Sequence, residues 1–154
     1  MNNTHIPTIE IFRSQFINNE LYSCQIVTTI LAIENLMGKN TNGISIYQKW
    51  IRSRGKRDIR EATFSLINLF MSIYSKGYDE NFPLSVNKKT NAMFGGAHRL
   101  GICLFLDIRT VPCTKIDNEK TIPKKYDFNY FKNILTDTEF KTLVDKVTAL
   151  KEIL

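Results

Sequence analysis

The sequence predicts an α+β domain in which a small mixed β-sheet, at about residues 82–116, is flanked by N-terminal and C-terminal helices. Long segments on either side of the sheet repeat apolar residues at steps of three and four, which is the pattern of helices with one buried face. The middle segment instead carries short apolar runs separated by glycines and polar turns, which is typical of strands. A chain of 154 residues fits one domain. We divide it into a helical N-terminal part (1–62), a core (63–116) and a C-terminal helical tail (117–154).

The first part of the chain predicts one clear helix. Residues 6–17 alternate loosely and are compatible with a short strand or a short helix around Pro7. Over Leu21–Met37 apolar residues recur at helical spacing, and Gly38 is a favourable residue to end the helix. Glu34 lies inside or beside this apolar stripe, where a carboxylate is costly unless it is paired or faces a cleft. Glu34 is therefore either an edge residue at the helix rim or a candidate general base or metal ligand.

Two further helices are predicted before the sheet. The first covers Ile44–Arg54 and places Tyr47 and Trp50 on its apolar face, where such residues more often pack in the core than stack on a nucleotide base. The second covers residues 61–76. Its apolar side is formed by Phe64, Ile67, Phe70 or Met71, and Tyr74.

The densest basic segment of the chain joins these two helices. Its five cations are Arg52, Arg54, Lys56, Arg57 and Arg60. Such a segment predicts an exposed loop, which is either solvated or in contact with phosphates. Arg57 and Arg60 are the candidates for phosphate contacts, and one of these arginines could complete the anion site that follows.

The stretch Met93–Leu100 is the candidate functional site. It leaves a short apolar segment, passes through Gly95 and Gly96, and opens a helix predicted over Leu100–Leu106. The segment Thr110–Cys113 then predicts a second strand. Glycines let a backbone turn tightly and approach a ligand, and the unpaired amides at the start of a helix favour an anion.

Each residue of this turn has a candidate role in binding phosphate. The backbone amides of Gly95, Gly96 and Ala97 face the ligand, and His98 and Arg99 add side-chain donors. Arginine holds phosphate or carboxylate oxygens with two parallel hydrogen bonds. The alternative is a strand-to-helix turn with a solvated Arg99 and a His98 that caps or packs.

The tail predicts a loop, a short helix and a last helix. The loop covers residues 117–125, and the short helix follows an aromatic cluster of Tyr126, Phe128, Tyr130 and Phe131. Thr136 and Glu139 form a capping box for the last helix. Its apolar stripe, which either docks onto the domain or forms a dimer seam, consists of Phe140, Leu143, Val144, Val147 and Leu150.

Three segments in this order resemble the core of the ParB/sulfiredoxin superfamily: Phe82–Asn87, then Ala92–Leu100 with Gly-Gly-Ala-His-Arg, then Thr110–Cys113 with its Val-Pro pair. The resemblance covers residues 63–116. It implies a proline-led strand, a hairpin, a glycine turn that binds the phosphates of ATP or CTP, a helix and a Val-Pro strand. Members of this superfamily act as sulfinic acid reductases, free serine kinases, nucleotide-gated DNA clamps or nucleases.

Two positions depart from the patterns of that superfamily. Sulfiredoxins have a nucleophilic cysteine where this chain has Ala97, which argues against that activity, and free serine kinases have an aspartate where this chain has Gly95. The resemblance implies a nucleotide-binding protein, a phosphotransferase or NTPase that uses ATP or CTP with Mg²⁺ on a small acceptor. His98 and Glu34 are then the candidate catalytic residues, because Gly95 cannot supply an acid or a base.

Two other classes of function stay open. One is a nucleic-acid-binding or nuclease module, which the basic segment 52–60 and the net charge of +6 favour. The other is a non-catalytic binding or scaffold protein that kept the fold, as the residues at positions 95 and 97 would suggest.

Composition narrows the remaining possibilities. Hydrophobic residues at 43% exclude a disordered chain, and no apolar run approaches the roughly 18 residues of a spanning helix. The N-terminal residues lack the basic start and apolar core of a signal peptide, so the expected location is cytoplasmic. Cys24, Cys103 and Cys113 are expected to be reduced, buried thiols with raised pKa values.

Overall fold

The structure, a computed structural model, describes residues 3–17, 20–55, 57–117 and 126–154. Within these ranges the chain forms seven helices, a three-stranded sheet and a two-stranded sheet, which confirms the mixed α+β class. The helices are α1 (Thr8–Arg13), α2 (Cys24–Leu36), α3 (Gly43–Arg54), α4 (Ile59–Lys76), α5 (Ala97–Phe105), α6 (Phe128–Ile134) and α7 (Asp137–Glu152). The strands are β1 (Thr4–Pro7), β2 (Phe16–Ile17), β3 (Glu20–Leu21), β4 (Leu84–Asn87) and β5 (Thr110–Ile116).

The larger sheet has the strand order β1-β5-β4. β4 and β5 are parallel, with Leu84 opposite Cys113, and α5 is the crossover that parallel strands require. β1 is antiparallel to β5. The predicted mixed sheet is therefore present, but one of its edge strands comes from residues 4–7, outside the predicted 82–116 segment. The sequence of residues 6–17 was compatible with either a strand or a helix. In the structure this segment contains the end of β1, all of α1 and β2.

Close packing of α5 on α2 sets the position of the predicted site. A Cβ on Gly101 would lie 2.9 Å from the carbonyl oxygen of Ile26 and 2.9 Å from the Cβ of Thr29. Only glycine fits there without displacing the α2 backbone. Residues 26–33 of α2 are all buried, so α2 is a central helix of the domain and α5 is held against it.

Helix α4 buries a different face from the predicted one. Phe64 and Tyr74, with Met71 as an alternative to Phe70, were expected on the apolar side and are 66%, 68% and 53% exposed. The residues that face the core are Ala62, Leu66, Phe70 and Ile73, of which only Phe70 belonged to the predicted set. Two apolar stripes run along this helix, and helical periodicity alone does not distinguish the buried stripe from the exposed one.

The predicted start of the last helix is confirmed. The amide of Glu139 donates to Thr136 Oγ1 at 3.2 Å, and the amide of Thr136 donates to Glu139 Oε1 at 2.9 Å. Leu143 and Val147 are buried, so the stripe of α7 docks onto the domain. The loop predicted at 117–125 lies, apart from its first residue, outside the described residues.

Candidate anion-binding site

The turn before α5 contains two glycines in backbone conformations that other residues rarely adopt. Gly95 has φ 141°, and Gly96, the N-cap of α5, has φ 86°. The amide of Phe94 donates to the carbonyl of Ser85 at 2.9 Å, and the amide of Leu100 donates to the carbonyl of Gly96 at 2.9 Å. Gly96 has no side chain to cap the helix, and open space surrounds the position of a Cβ on Gly95. An uncapped helix N-terminus beside open space is an arrangement that favours an anion.

His98 follows this turn and packs against α3. Its Nε2 lies 3.1 Å from the hydroxyl oxygen of Tyr47, and its ring centroid lies 5.8 Å from that of Trp50. Burial, together with the positive charges of Arg57, Arg54 and Arg99, lowers the pKa of His98 to about 4. The imidazole is therefore neutral at pH 7. This geometry agrees with the packed histidine that the sequence left open as an alternative.

Two arginines of the basic segment lie near His98. The guanidinium of Arg54 lies over the indole of Trp50, with its central carbon 5.2 Å from the ring centroid. Arg57 is exposed, and among the neighbouring charges it contributes most to the lowered pKa of His98. Arg60 is not among the charges that act on His98. Of the basic segment, Arg57 and Arg54 therefore act on His98 and Arg60 does not, and contact of Arg57 or Arg60 with a phosphate stays a prediction.

Tyr47 and Trp50 belong to the core, as the sequence predicted. They are 0% and 1% exposed, so neither ring is available to stack on a base. The Nε1 of Trp50 is buried and has no hydrogen-bond acceptor among the described residues. The sequence could have predicted that Arg54 stacks on Trp50, because Arg54 follows Trp50 by one helical turn. It could not have predicted the hydrogen bond between Tyr47 and His98, because 51 positions separate these residues.

The side chain of Arg99 lines a cleft next to the loop after α4, although its charge also contributes to the lowered pKa of His98. Its guanidinium lies over the ring of Phe82, with the central carbon 5.4 Å from the centroid. The hydroxyl of Tyr78, which also lines this cleft, donates to the carbonyl of Phe82 at 2.7 Å. Burial raises the pKa of Tyr78 to about 12, against the opposing charge of Arg99. The two basic residues of the predicted pair therefore contact different parts of the protein.

Glu34 is held by α7. Lys146 Nζ lies 2.9 Å from Glu34 Oε1 and 3.1 Å from Oε2, and both side chains are mostly buried. No hydrogen bond or ion pair of the described residues joins Glu34 to residues 95–99. The costly position of this carboxylate is thus explained by an ion pair, which the sequence did not indicate because its partner lies 112 positions away.

Metal-binding and thiol chemistry have no support among the described residues. These residues contain no group of three or more histidines, cysteines or acidic residues that could hold a metal ion. The three cysteines are free and buried, as predicted. Burial raises the pKa of Cys103 to about 12 and that of Cys113 to about 11, and it raises the pKa of Cys24 even further. These thiols stay protonated at pH 7 and are poor nucleophiles.

Comparison of the chain with protein-family models, curated proteins and solved structures found no match. The likeness to the ParB/sulfiredoxin superfamily therefore stays a prediction from the sequence. Within the described ranges, none of the helices has the length and apolar character needed to cross a membrane.

Proposed function

We propose that the chain binds a nucleotide, ATP or CTP, through its phosphates at the start of α5. The observation that carries this proposal is the glycine turn, because Gly95 and Gly96 leave the first turn of α5 uncapped. Arg54 and Arg57 both act on His98, which lies in the first turn of α5. Unpaired amides at a helix N-terminus, with cations next to them, are a general arrangement for binding phosphate.

Each contact in this proposal follows from the position of the group. The amides of Gly95, Gly96 and Ala97 donate to phosphate oxygens, because they precede the first intrahelical hydrogen bond of α5. Arg57 is exposed and long enough to bind a phosphate that approaches the turn from solvent. His98 takes part as a neutral group, since its pKa of about 4 keeps it uncharged at pH 7.

Phosphoryl transfer to a small acceptor, or hydrolysis of the nucleotide, is the further step that the sequence resemblance supports. Such reactions depend largely on positioning and on neutralising charge, which the amides and Arg57 would supply. Of the two candidate catalytic residues, Glu34 is paired with Lys146, so proton transfer is left to His98. A pKa of about 4 makes His98 a weak base, and we therefore expect slow turnover. Mg²⁺ is usually held by substrate phosphates with only one or two protein carboxylates, so in this proposal the ion arrives with the nucleotide.

The test is calorimetric titration of ATP and CTP, each with Mg²⁺, into wild type and two variants. Arg57→Ala removes a charged hydrogen-bond donor from the site and is expected to weaken nucleotide binding by about 10- to 100-fold. Arg60→Ala is the matched control, because Arg60 is also exposed, lies three positions away and does not act on His98. Its affinity is expected to equal that of wild type.

Two results would overturn the proposal. One is the absence of saturable heat with either nucleotide. The other is an equal loss of affinity in both arginine variants, which would indicate non-specific attraction to the positive surface and not binding at a defined site. The ¹H NMR signal of His98 supplies a second readout. A phosphate bound next to it stabilises the imidazolium, so the pKa of His98 is expected to rise when nucleotide is added.

Nucleic acid is the second candidate ligand, because three arginines of the basic segment are exposed: Arg52, Arg57 and Arg60. Binding of this kind neutralises several phosphates at once, so it falls steeply with salt. Titration of labelled single-stranded and double-stranded DNA at two salt concentrations separates the candidates. In this case Arg57→Ala and Arg60→Ala are expected to weaken binding to a similar extent.

A further inference from the structure

The cleft that contains Arg99 is a second candidate site, separate from the glycine turn. Its volume is about 220 Å³, and its apolar lining is formed by Leu69 and Ile73 of α4 and by Phe82. The polar side chains that line it are those of Ser72, Tyr78, Asp79 and Arg99. Pockets for drug-sized ligands span about 300–1,000 Å³, so this cleft fits a smaller molecule.

Arg99 lies over Phe82 in the lining of the cleft and keeps its donors for a ligand. A guanidinium has five N–H donors, and no carboxylate lies within ion-pair distance of Arg99 among the described residues. An arginine that lies over a neutral ring next to an apolar wall is complementary to a carboxylate with an apolar body.

Asp79 sets the charge that the cleft accepts. It also lines the cleft, and its Oδ1 accepts a hydrogen bond from the amide of Asn81 at 2.9 Å, so its own position is fixed by the loop. A carboxylate at the rim repels a dianion more than a monoanion. A phosphate group, with its higher charge and without an apolar body, is therefore a poorer fit.

We propose that the Arg99 cleft binds a small monocarboxylate with an aromatic or branched apolar body, its carboxylate on Arg99 and its body against Leu69, Ile73 and Phe82. This inference does not depend on nucleotide binding at the glycine turn and Arg57, because the monocarboxylate would contact different side chains.

Phenylacetate is the probe, and 2-phenylethanol is its neutral counterpart of similar size and shape. Titration into ¹⁵N-labelled protein is expected to shift amide signals of residues 69–82 saturably with phenylacetate. The neutral alcohol is expected to bind at least about tenfold more weakly, because it lacks the charge-assisted bonds to Arg99. Inorganic phosphate is expected to leave these signals in place.

Variants separate the cleft from the glycine turn. Arg99→Gln is expected to weaken phenylacetate binding at least about tenfold, Arg99→Lys less, and Arg57→Gln not at all. Asp79→Asn keeps the acceptor for Asn81 and removes a negative charge, so it is expected to strengthen binding. The proposal is overturned if phenylacetate gives no saturable shifts, if the alcohol binds equally well, or if folded Arg99→Gln retains wild-type affinity.

Discussion

At the scale of single residues, the neutral state of His98 has a measurable consequence for stability. Burial and three nearby arginines lower its pKa from 6.5 to about 4 in the folded protein. Between these two values the unfolded chain binds a proton that the folded protein does not. Stability therefore rises with pH across this window, and it is lost as pH falls from 6.5 towards 4.

We predict that His98→Gln removes this part of the acid sensitivity. From pH 7 to pH 4 the wild-type protein is expected to lose up to about 3 kcal/mol of unfolding free energy through His98, and the variant is not. Urea unfolding at several pH values measures this difference. A ¹H NMR titration measures the pKa itself, and the variant assigns the signal because the chain has only one other histidine, His5. A His98 signal that titrates near pH 6.5 would contradict the neutral, packed geometry.

At the scale of elements, the two apolar stripes of α4 allow a direct comparison on one helix. Leu66 is 3% exposed and faces the core, whereas Phe64 is 66% exposed. We predict that Leu66→Ala lowers the unfolding free energy by about 2–5 kcal/mol, because it leaves a cavity. Phe64→Ala is expected to change it by no more than about 0.5 kcal/mol, although it removes the larger side chain. Urea unfolding measures both changes, and a similar cost for the two would mean that a partner covers Phe64 in solution.

Local sequence signals predicted most elements, and contacts between distant segments account for what they missed. The capping box at Thr136 and the apolar periodicity of α2 and α3 are local, so these helices were predicted to within a few residues. Strand β1 has only four residues, and its pairing with β5 joins positions more than 100 residues apart. The buried face of α4 likewise depends on which side meets α3 and α5, which periodicity does not contain.

In the candidate site, too, the sequence predicted the local structure and missed the contacts with distant segments. The two glycines predicted a tight turn at a helix start, and their positive φ values agree with it. Adjacent positions in the sequence suggested that His98 and Arg99 share one ligand, but successive residues on a helix point about 100° apart. His98 therefore packs on α3 while Arg99 enters the cleft beside Phe82.

At the scale of the whole molecule, Glu139 joins the C-terminal helix to α3. Its carboxylate accepts hydrogen bonds from Lys49 Nζ at 2.5 Å and from Ser45 Oγ at 2.6 Å, in addition to its role in the capping box with Thr136. Burial raises the pKa of Glu139, but these hydrogen bonds outweigh it and hold the pKa at about 2. The folded protein thus keeps this carboxylate ionised far below its ordinary pKa of 4.5.

We predict that Glu139→Gln lowers the unfolding free energy by about 3 kcal/mol at pH 7, because it removes the charge that Lys49 and Ser45 stabilise. Below pH 4.5 the unfolded chain takes up a proton at this position before the folded protein does. The difference in unfolding free energy between wild type and Glu139→Gln therefore shrinks between pH 4.5 and pH 2. Asp145→Asn is the control on the same helix, because Asp145 forms an ion pair with Lys141 in which both side chains are exposed. Its effect on the unfolding free energy is expected to be within the error of the measurement. Urea unfolding of the three proteins from pH 7 to pH 2 measures the effect. A cost of Glu139→Gln that stays constant over this range would show that packing, and not charge, joins α7 to α3.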